Sequence, residues 1–235
     1  MAPIIDFKTI VFAILGGAVP AIFWLWFWLG EEDKKKPESP ALIILSFILG
    51  ALAVIFAIWL EKFSLSYISD KTIQIITWAG IEEILKYLAV SVIVLGSAEI
   101  KEPIDYPMYF IATALGFAAL ENVLYLIHPI AVSGTVVGAL TGNLRFLGST
   151  LLHAIASSMI GIALGLSFYA GWFSKRFYLL VGILVAVALH SLFNLFIMNG
   201  SGSNFLQVYG FLWIVAIINI LIFEKLKRMA DATTS

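Results

Sequence analysis

Seven stretches of this chain are apolar over a length that can cross a bilayer: residues 9–29, 41–60, 72–97, 107–128, 146–171, 177–198 and 205–223. Inside a membrane the backbone finds no water to bond, so only helices and closed barrels can span it. A spanning helix needs about 20 apolar residues and a spanning strand about half that. The stretches therefore predict an all-α, polytopic transmembrane helical bundle of about seven spans. Residues 129–143 are apolar but too short to cross, and they carry Gly134, Gly138 and Gly142. They are expected to form a re-entrant or surface segment, with an eighth span as the alternative. No link between stretches can hold a soluble domain, so residues 1–235 read as a single integral membrane domain. Within the first stretch, Ala18-Val19-Pro20-Ala21 resembles a signal-peptidase site, but the apolar run continues through Trp28. A retained helix is the expectation.

Only 12% of the residues are charged and 61% are hydrophobic, against about 25% charged in soluble domains. The net charge of -1 argues against nucleic acid as a partner and leaves the lipid bilayer as the first one. The absence of cysteine excludes disulfides, thiolate metal sites and a thiol nucleophile. Basic residues set the orientation. Four (Lys8, Lys62, Lys71, Arg145) fall on the side of the N-terminus. Nine (Lys34, Lys35, Lys36, Lys101, Lys175, Arg176, Lys225, Lys227, Arg228) fall on the other. The excess predicts an N-terminus outside and a C-terminus in the cytoplasm. Trp24, Trp26, Trp28, Trp59 and Trp172 lie near span ends, where interfacial anchors belong.

Against this background, a few residues are out of place. Glu82, Glu83 and Lys86 interrupt the third stretch, Glu121 and Asn122 the fourth, His153 the fifth, and His190 with Asn194 the sixth. A charge at the bilayer centre costs roughly 2.5–3.5 kcal/mol on insertion scales, so these groups must meet each other, water or a substrate. Counted from the span ends, all of them fall at similar depth in the half nearer the N-terminal side. Glu82 and Lys86 are four apart, and Glu83 and Lys86 three apart, so they share a helix face. Lys86 can neutralise one carboxylate while its neighbour keeps a proton longer, a pairing suited to activating water and protonating a leaving group. His190 and Asn194 also share a face and can donate to a developing oxyanion. The structural alternatives are a buried ion pair tying helices together, a hydrogen-bonded interhelical histidine, and an Arg145 that snorkels to headgroups. Gly161 and Gly165 read as a packing motif.

Read in order, Glu82-Glu83-Ile84-Leu85-Lys86, Phe117 to Glu121-Asn122, His153-Ala154 and His190 to Asn194 match E-E-x-x-K, F-x-x-x-E-N, H-A and H-x-x-x-N. This set resembles the PrsW family of intramembrane proteases, within the superfamily of CAAX prenyl endopeptidases and bacteriocin-immunity proteins. The resemblance puts the motif-bearing core at about 72–198. It implies a multi-pass protein of a prokaryotic cell membrane that cleaves a membrane-anchored protein, anti-sigma factors being the best-known substrates. By motif, Glu82 and Glu83 would be the essential carboxylates, completed by Glu121, His153, His190 and Asn194. The prenyl endopeptidase branch has Arg after its Glu pair and His in the second motif. Here Lys86 stands one residue nearer and Glu121 takes the second place, which argues against prenylated substrates.

The expected mechanism is glutamic. Glu82 or Glu83 activates water, His190 and Asn194 bind the oxyanion, and His153 positions water or peptide. Lys86, Glu121, Asn122 and Arg145 support the charge balance and packing. No cofactor is favoured. The alternative within the same residues is zinc held by Glu82, His153 and His190, a set of one carboxylate and two imidazoles that leaves a fourth position for water. The alternative from another class is a proton-coupled transporter, since intramembrane Glu, Lys and His also relay protons.

Overall fold

A computed structural model describes residues 5–31, 38–93, 99–199 and 205–234, without the side chains of 93, 135–147, 198–199, 205–208 and 231–234. Among the described residues every long element is helical: α1 (Phe7–Leu29), α2 (Pro40–Ser64), α3 (Lys71–Ile93), α4 (Asp105–Arg145), α5 (Leu151–Leu166), α6 (Trp172–Asn199) and α7 (Phe205–Thr234), with a π-turn over Phe146–Thr150. Six stretches are long and apolar enough to cross a membrane: Phe7–Leu29, Pro40–Ser64, Asp105–Gly134, Gly148–Leu166, Trp172–Ile197 and Tyr209–Ala230. The helix α3 has 23 residues, about 35 Å at 1.5 Å per residue. It is long enough to span, and what lowers its hydropathy is Glu82, Glu83 and Lys86. The protein is an integral multi-pass membrane protein.

Local chemistry marks the starts of several helices. Asp6 caps α1 by accepting from the Thr9 amide at 2.8 Å, and that bond holds its carboxyl below the usual range. Asp70 accepts from the Ile73 amide at the head of α3. Asp105 accepts from the amides of Lys101 and Glu102 at the head of α4.

The centre of the bundle is α5, buried along nearly its whole length, together with the first half of α4. Around this pair stand α1 and α2 against α4, and α6 and α7 against α5, while α3 bridges α2 and α6. Several crossings bring backbones into contact, among them α1 on α4, where Gly17 meets the backbone of Ala119 and Val123. A Cβ on Gly116 would collide with the Phe47 carbonyl, and one on Gly50 with the Thr113 carbonyl, so α2 and α4 touch without side chains between them. On α5, Gly161 meets the Pro107 backbone and Gly165 the Pro103 carbonyl, which makes the Gly161/Gly165 pair a packing motif as expected.

Several expectations need correction. The fourth span does not stop at 128: α4 runs through Pro129 to Gly134, whose φ of 82° breaks the helix. The backbone of 135–145 then continues as helix up to the π-turn. The fifth span is shorter than 146–171, because a π-turn occupies Phe146–Thr150 and α5 ends at Leu166. Trp24 and Trp28 are not interfacial anchors but core residues, 5% and 0% exposed. Trp24 packs on Trp213 and Trp28 on Phe223, so these rings join α1 to α7. Trp26, Trp59 and Trp172 are exposed, as anchors should be.

Candidate active site

Successive residues on an α-helix point about 100° apart, and on α3 that separation splits the glutamate pair. Glu82 faces a cavity of about 430 Å³ also lined by Glu61, Trp78, Phe117, Glu121, Tyr125 and Asn194. Glu83 faces the interior and is fully buried. Its Oε1 accepts from Lys86 Nζ at 2.7 Å and lies 2.9 Å from His190 Nδ1, while its Oε2 accepts from Ser157 Oγ at 2.6 Å. Both oxygens are thus committed to α3, α5 and α6.

The two imidazoles are held in matching fashion. His153 Nε2 lies 2.9 Å from Glu121 Oε2. A carboxylate only accepts, so each of these contacts fixes the ring proton on the nitrogen facing the carboxylate. The lone pairs are left on His153 Nδ1 and His190 Nε2. Both of these atoms lie 3.8 Å from Glu82 Oε2. The rings stand nearly perpendicular, 89° apart, with centroids 4.9 Å from each other.

Three buried lone-pair atoms therefore converge from α3, α5 and α6, and Glu82 Oε2 has no hydrogen-bond partner. The only cation beside them among the described residues is Lys86, fully buried. Its Nζ lies 2.8 Å from His153 Nδ1, 3.5 Å from Glu82 Oε2 and 4.4 Å over the Phe117 ring. Every close partner of that ammonium, Phe117 included, comes from a motif read in the sequence.

The donor set has the make-up of a metal site. Glu82, His153 and His190 each offer one atom, all within 4.8 Å of one another. A tetrahedral zinc with bonds of about 2.0–2.1 Å sets its ligand atoms roughly 3.3 Å apart, so the two 3.8 Å pairs close by about half an ångström and the two imidazole nitrogens, within 4.8 Å of each other, by up to about 1.5 Å. Each imidazole already gives its second nitrogen to a carboxylate, the arrangement that orients metal-binding histidines. The residues fit a zinc ion. The one group in the way is the Lys86 ammonium at His153 Nδ1, which keeps Glu83 as a partner if it turns aside.

The other sequence candidates separate. Asn194 lines the cavity with Glu82 and Glu121, one helical turn after His190. Asn122 does not face the cavity residues; its Nδ2 donates to Thr150 Oγ1 at 2.9 Å and ties α4 to the π-turn just ahead of His153. The Arg145 side chain lies outside the described residues. Two polar residues were not anticipated in their observed places. Ser157 lies one turn after His153, and that spacing could have identified it as a partner of the buried carboxylate. Glu61 lies near the end of α2, in no motif, next to the Lys62 that sets the orientation.

Comparison with known proteins agrees with the motif order. The pattern described as PrsW family intramembrane metalloprotease matches residues 38–221. A protein called Protease PrsW from Geobacillus kaustophilus is 29% identical over 186 residues, 77% of each chain. Those of Oceanobacillus iheyensis and Shouchella clausii, also called Protease PrsW, are 29% and 26% identical, covering 94% of this chain and 98% of theirs. No solved structure matches. With a family pattern extending over most of its length, and relatives similar to it almost end to end, this chain belongs to the PrsW family of intramembrane proteases.

Proposed function

We propose that this protease is zinc-dependent, with Glu82, His153 and His190 as the ligands, and that it cuts a single-span, anti-sigma-factor-like protein. The observation that carries the proposal is the convergence of three buried lone-pair atoms, each imidazole backed by its own carboxylate. In such a set a bound zinc ion supplies a water of pKa about 7 and polarises the scissile carbonyl. Membership of a protease family displaces the transporter alternative.

The chain's own residues have distinct tasks in this reading. Glu83 and Glu121 hold the rings of His190 and His153 in the tautomers that leave the facing nitrogens free. Ser157 fixes the second oxygen of Glu83. Lys86 balances the carboxylates beside it. Asn194, in the cavity wall, donates to the carbonyl oxygen as charge develops there. The apolar walls exclude bulk water and receive an unwound piece of the substrate's spanning helix. The lean of basic residues supports an N-terminus outside, which would set the cavity in the outer half of the bilayer.

One observation favours a second reading. Lys86 Nζ at 2.8 Å from His153 Nδ1 already supplies a positive charge at the convergence, so a metal-free site with Glu82 as base for water is the rival. The deciding experiment is to co-express the chain with single-span proteins of the same cell and identify fragments absent from a Glu82→Ala control. The active chain is then purified and its metal measured. The proposal expects one zinc per chain, activity lost to a chelator and regained with zinc. Full activity in metal-free protein would establish the rival.

A further inference from the structure

Four carboxylates face or support the site, and three have evident tasks. Glu83 has both oxygens engaged, Glu121 holds His153, and Glu82 Oε2 faces the two imidazoles. The fourth is Glu61. It lines the same cavity as Glu82 and Asn194 and is half-buried. Its carboxyl makes no hydrogen bond or ion pair with any described residue.

Packing fixes its height. The helices α2 and α3 run antiparallel, and Trp78 Nε1 donates to Ser64 Oγ at 3.1 Å. One to two turns further along, Ile58 of α2 and Ile81 and Leu85 of α3 pack against the same cluster of Ala53, Val54, Ala57 and Phe117. Glu61 lies between Ser64 and Ile58 on one helix, and Glu82 lies between Trp78 and Leu85 on the other. The two residues therefore stand at similar height on neighbouring helices and line one cavity. The charged or titratable groups around Glu61 include Glu82 and Lys86 from α3, Glu121 and Tyr125 from α4 and His190 from α6.

Peptide hydrolysis has to move a proton from the attacking water to the departing nitrogen. We infer that Glu61 is a catalytic residue that carries this proton. Its carboxylate takes a proton from the water as the water oxygen bonds to the carbonyl carbon. The resulting carboxylic acid gives the proton to the amide nitrogen as the C–N bond breaks. The products are a carboxylic acid and an amine, and Glu61 returns to its starting form. The inference rests on the peptidase reading of this cavity, but not on which group polarises the carbonyl.

The test uses the purified chain, a single-span reporter that it cleaves, and the variants Glu61→Gln and Glu61→Ala. Proton transfer by a placed group contributes about 10²–10⁴-fold. Glu61→Gln should lose that much in kcat, with KM, melting temperature and zinc content unchanged. Added formate should restore part of the rate to Glu61→Ala, and a variant that formate leaves unchanged counts against the role. A Glu61→Gln chain within about threefold of the unaltered kcat overturns the inference. So does a loss of rate matched by loss of zinc or of thermal stability, which is what a structural carboxyl would give. Absence of zinc from the unaltered chain would sink the metal reading and set Glu61 against Glu82 as the base for water, which the rate and formate rescue of the Glu61 variants then decide.

Discussion

Replacing Lys86 by Met should move stability and metal affinity in opposite directions. The Lys86 side chain is fully buried, and its ammonium lies 2.7 Å from Glu83 Oε1, 2.8 Å from His153 Nδ1 and 3.5 Å from Glu82 Oε2. Methionine keeps most of the stem volume and removes the charge. Two carboxylates are then left in the interior without their cation. Breaking a buried pair in this way costs roughly 3–5 kcal/mol. A divalent ion at Glu82, His153 and His190 would experience the reverse. Two unit charges 4 Å apart interact by about 4 kcal/mol at an effective dielectric of about 20, so losing the ammonium removes a repulsion of that order from the ion. Part of it is already relieved in the unaltered chain if Lys86 turns toward Glu83. A gain of about tenfold or more in zinc affinity is the expectation. Zinc at about 100 times its Kd adds roughly 2.7 kcal/mol, so the variant should recover much of its stability when loaded. Thermal unfolding in detergent, with chelator and with zinc, together with a competition titration against a coloured chelator, reads both effects. Zinc affinity that falls or stays level in Lys86→Met, or a stability loss indifferent to zinc, would refute a cation site beside this lysine.

Three further outcomes follow from the same geometry. Glu82→Gln should abolish stoichiometric zinc and lower turnover by two orders or more, whereas Glu83→Gln, acting through the His190 ring, should weaken zinc by about 10–100-fold; equal zinc content in both variants would contradict their division of labour. Asn194→Asp swaps an N–H donor for an acceptor and should lower kcat about 10²–10³-fold with little change in KM, and a destabilised variant with intact turnover per folded molecule would remove Asn194 from the site. Gly116→Ala forces a methyl against the Phe47 carbonyl and should destabilise by about 1–3 kcal/mol or more, seen as a lower melting temperature with zinc stoichiometry unchanged.

The helical bundle was legible because hydrocarbon admits few solutions, and the candidate site was legible because hydrocarbon rejects charge. Glu82, Glu83, Lys86, Glu121, His153 and His190 stand out as misfits, and the structure brings all six together. What the sequence could not separate was the two adjacent glutamates. One step along a helix rotates a side chain by about 100°, and only the positions of α5 and α6 decide which one meets Ser157 and His190. Trp24 and Trp28 were misread because a tryptophan near a span end serves an interface or a core equally well, and α7 happens to cover that face. The break at Gly134 and the π-turn were invisible to hydropathy, which does not register backbone conformation. Glu61 escaped notice because a carboxylate near the end of an apolar stretch looks like solvated surface until α3 and α4 are seen to wall it in.

The backbone contacts at Gly50 and Gly116 also limit how the enzyme can move. Sliding between helices needs a layer of side chains that can change partners, and α2 and α4 have none where they cross. They behave as one slab, which keeps Glu61 and Glu121 at a fixed spacing whatever else the bundle does. A peptide cannot be admitted by prising these two walls apart. The yielding side has to be α3 or α6, which complete the wall with Glu82 and Asn194, and if α6 is the one that moves, the Asn194 amide proposed as oxyanion donor would travel with it.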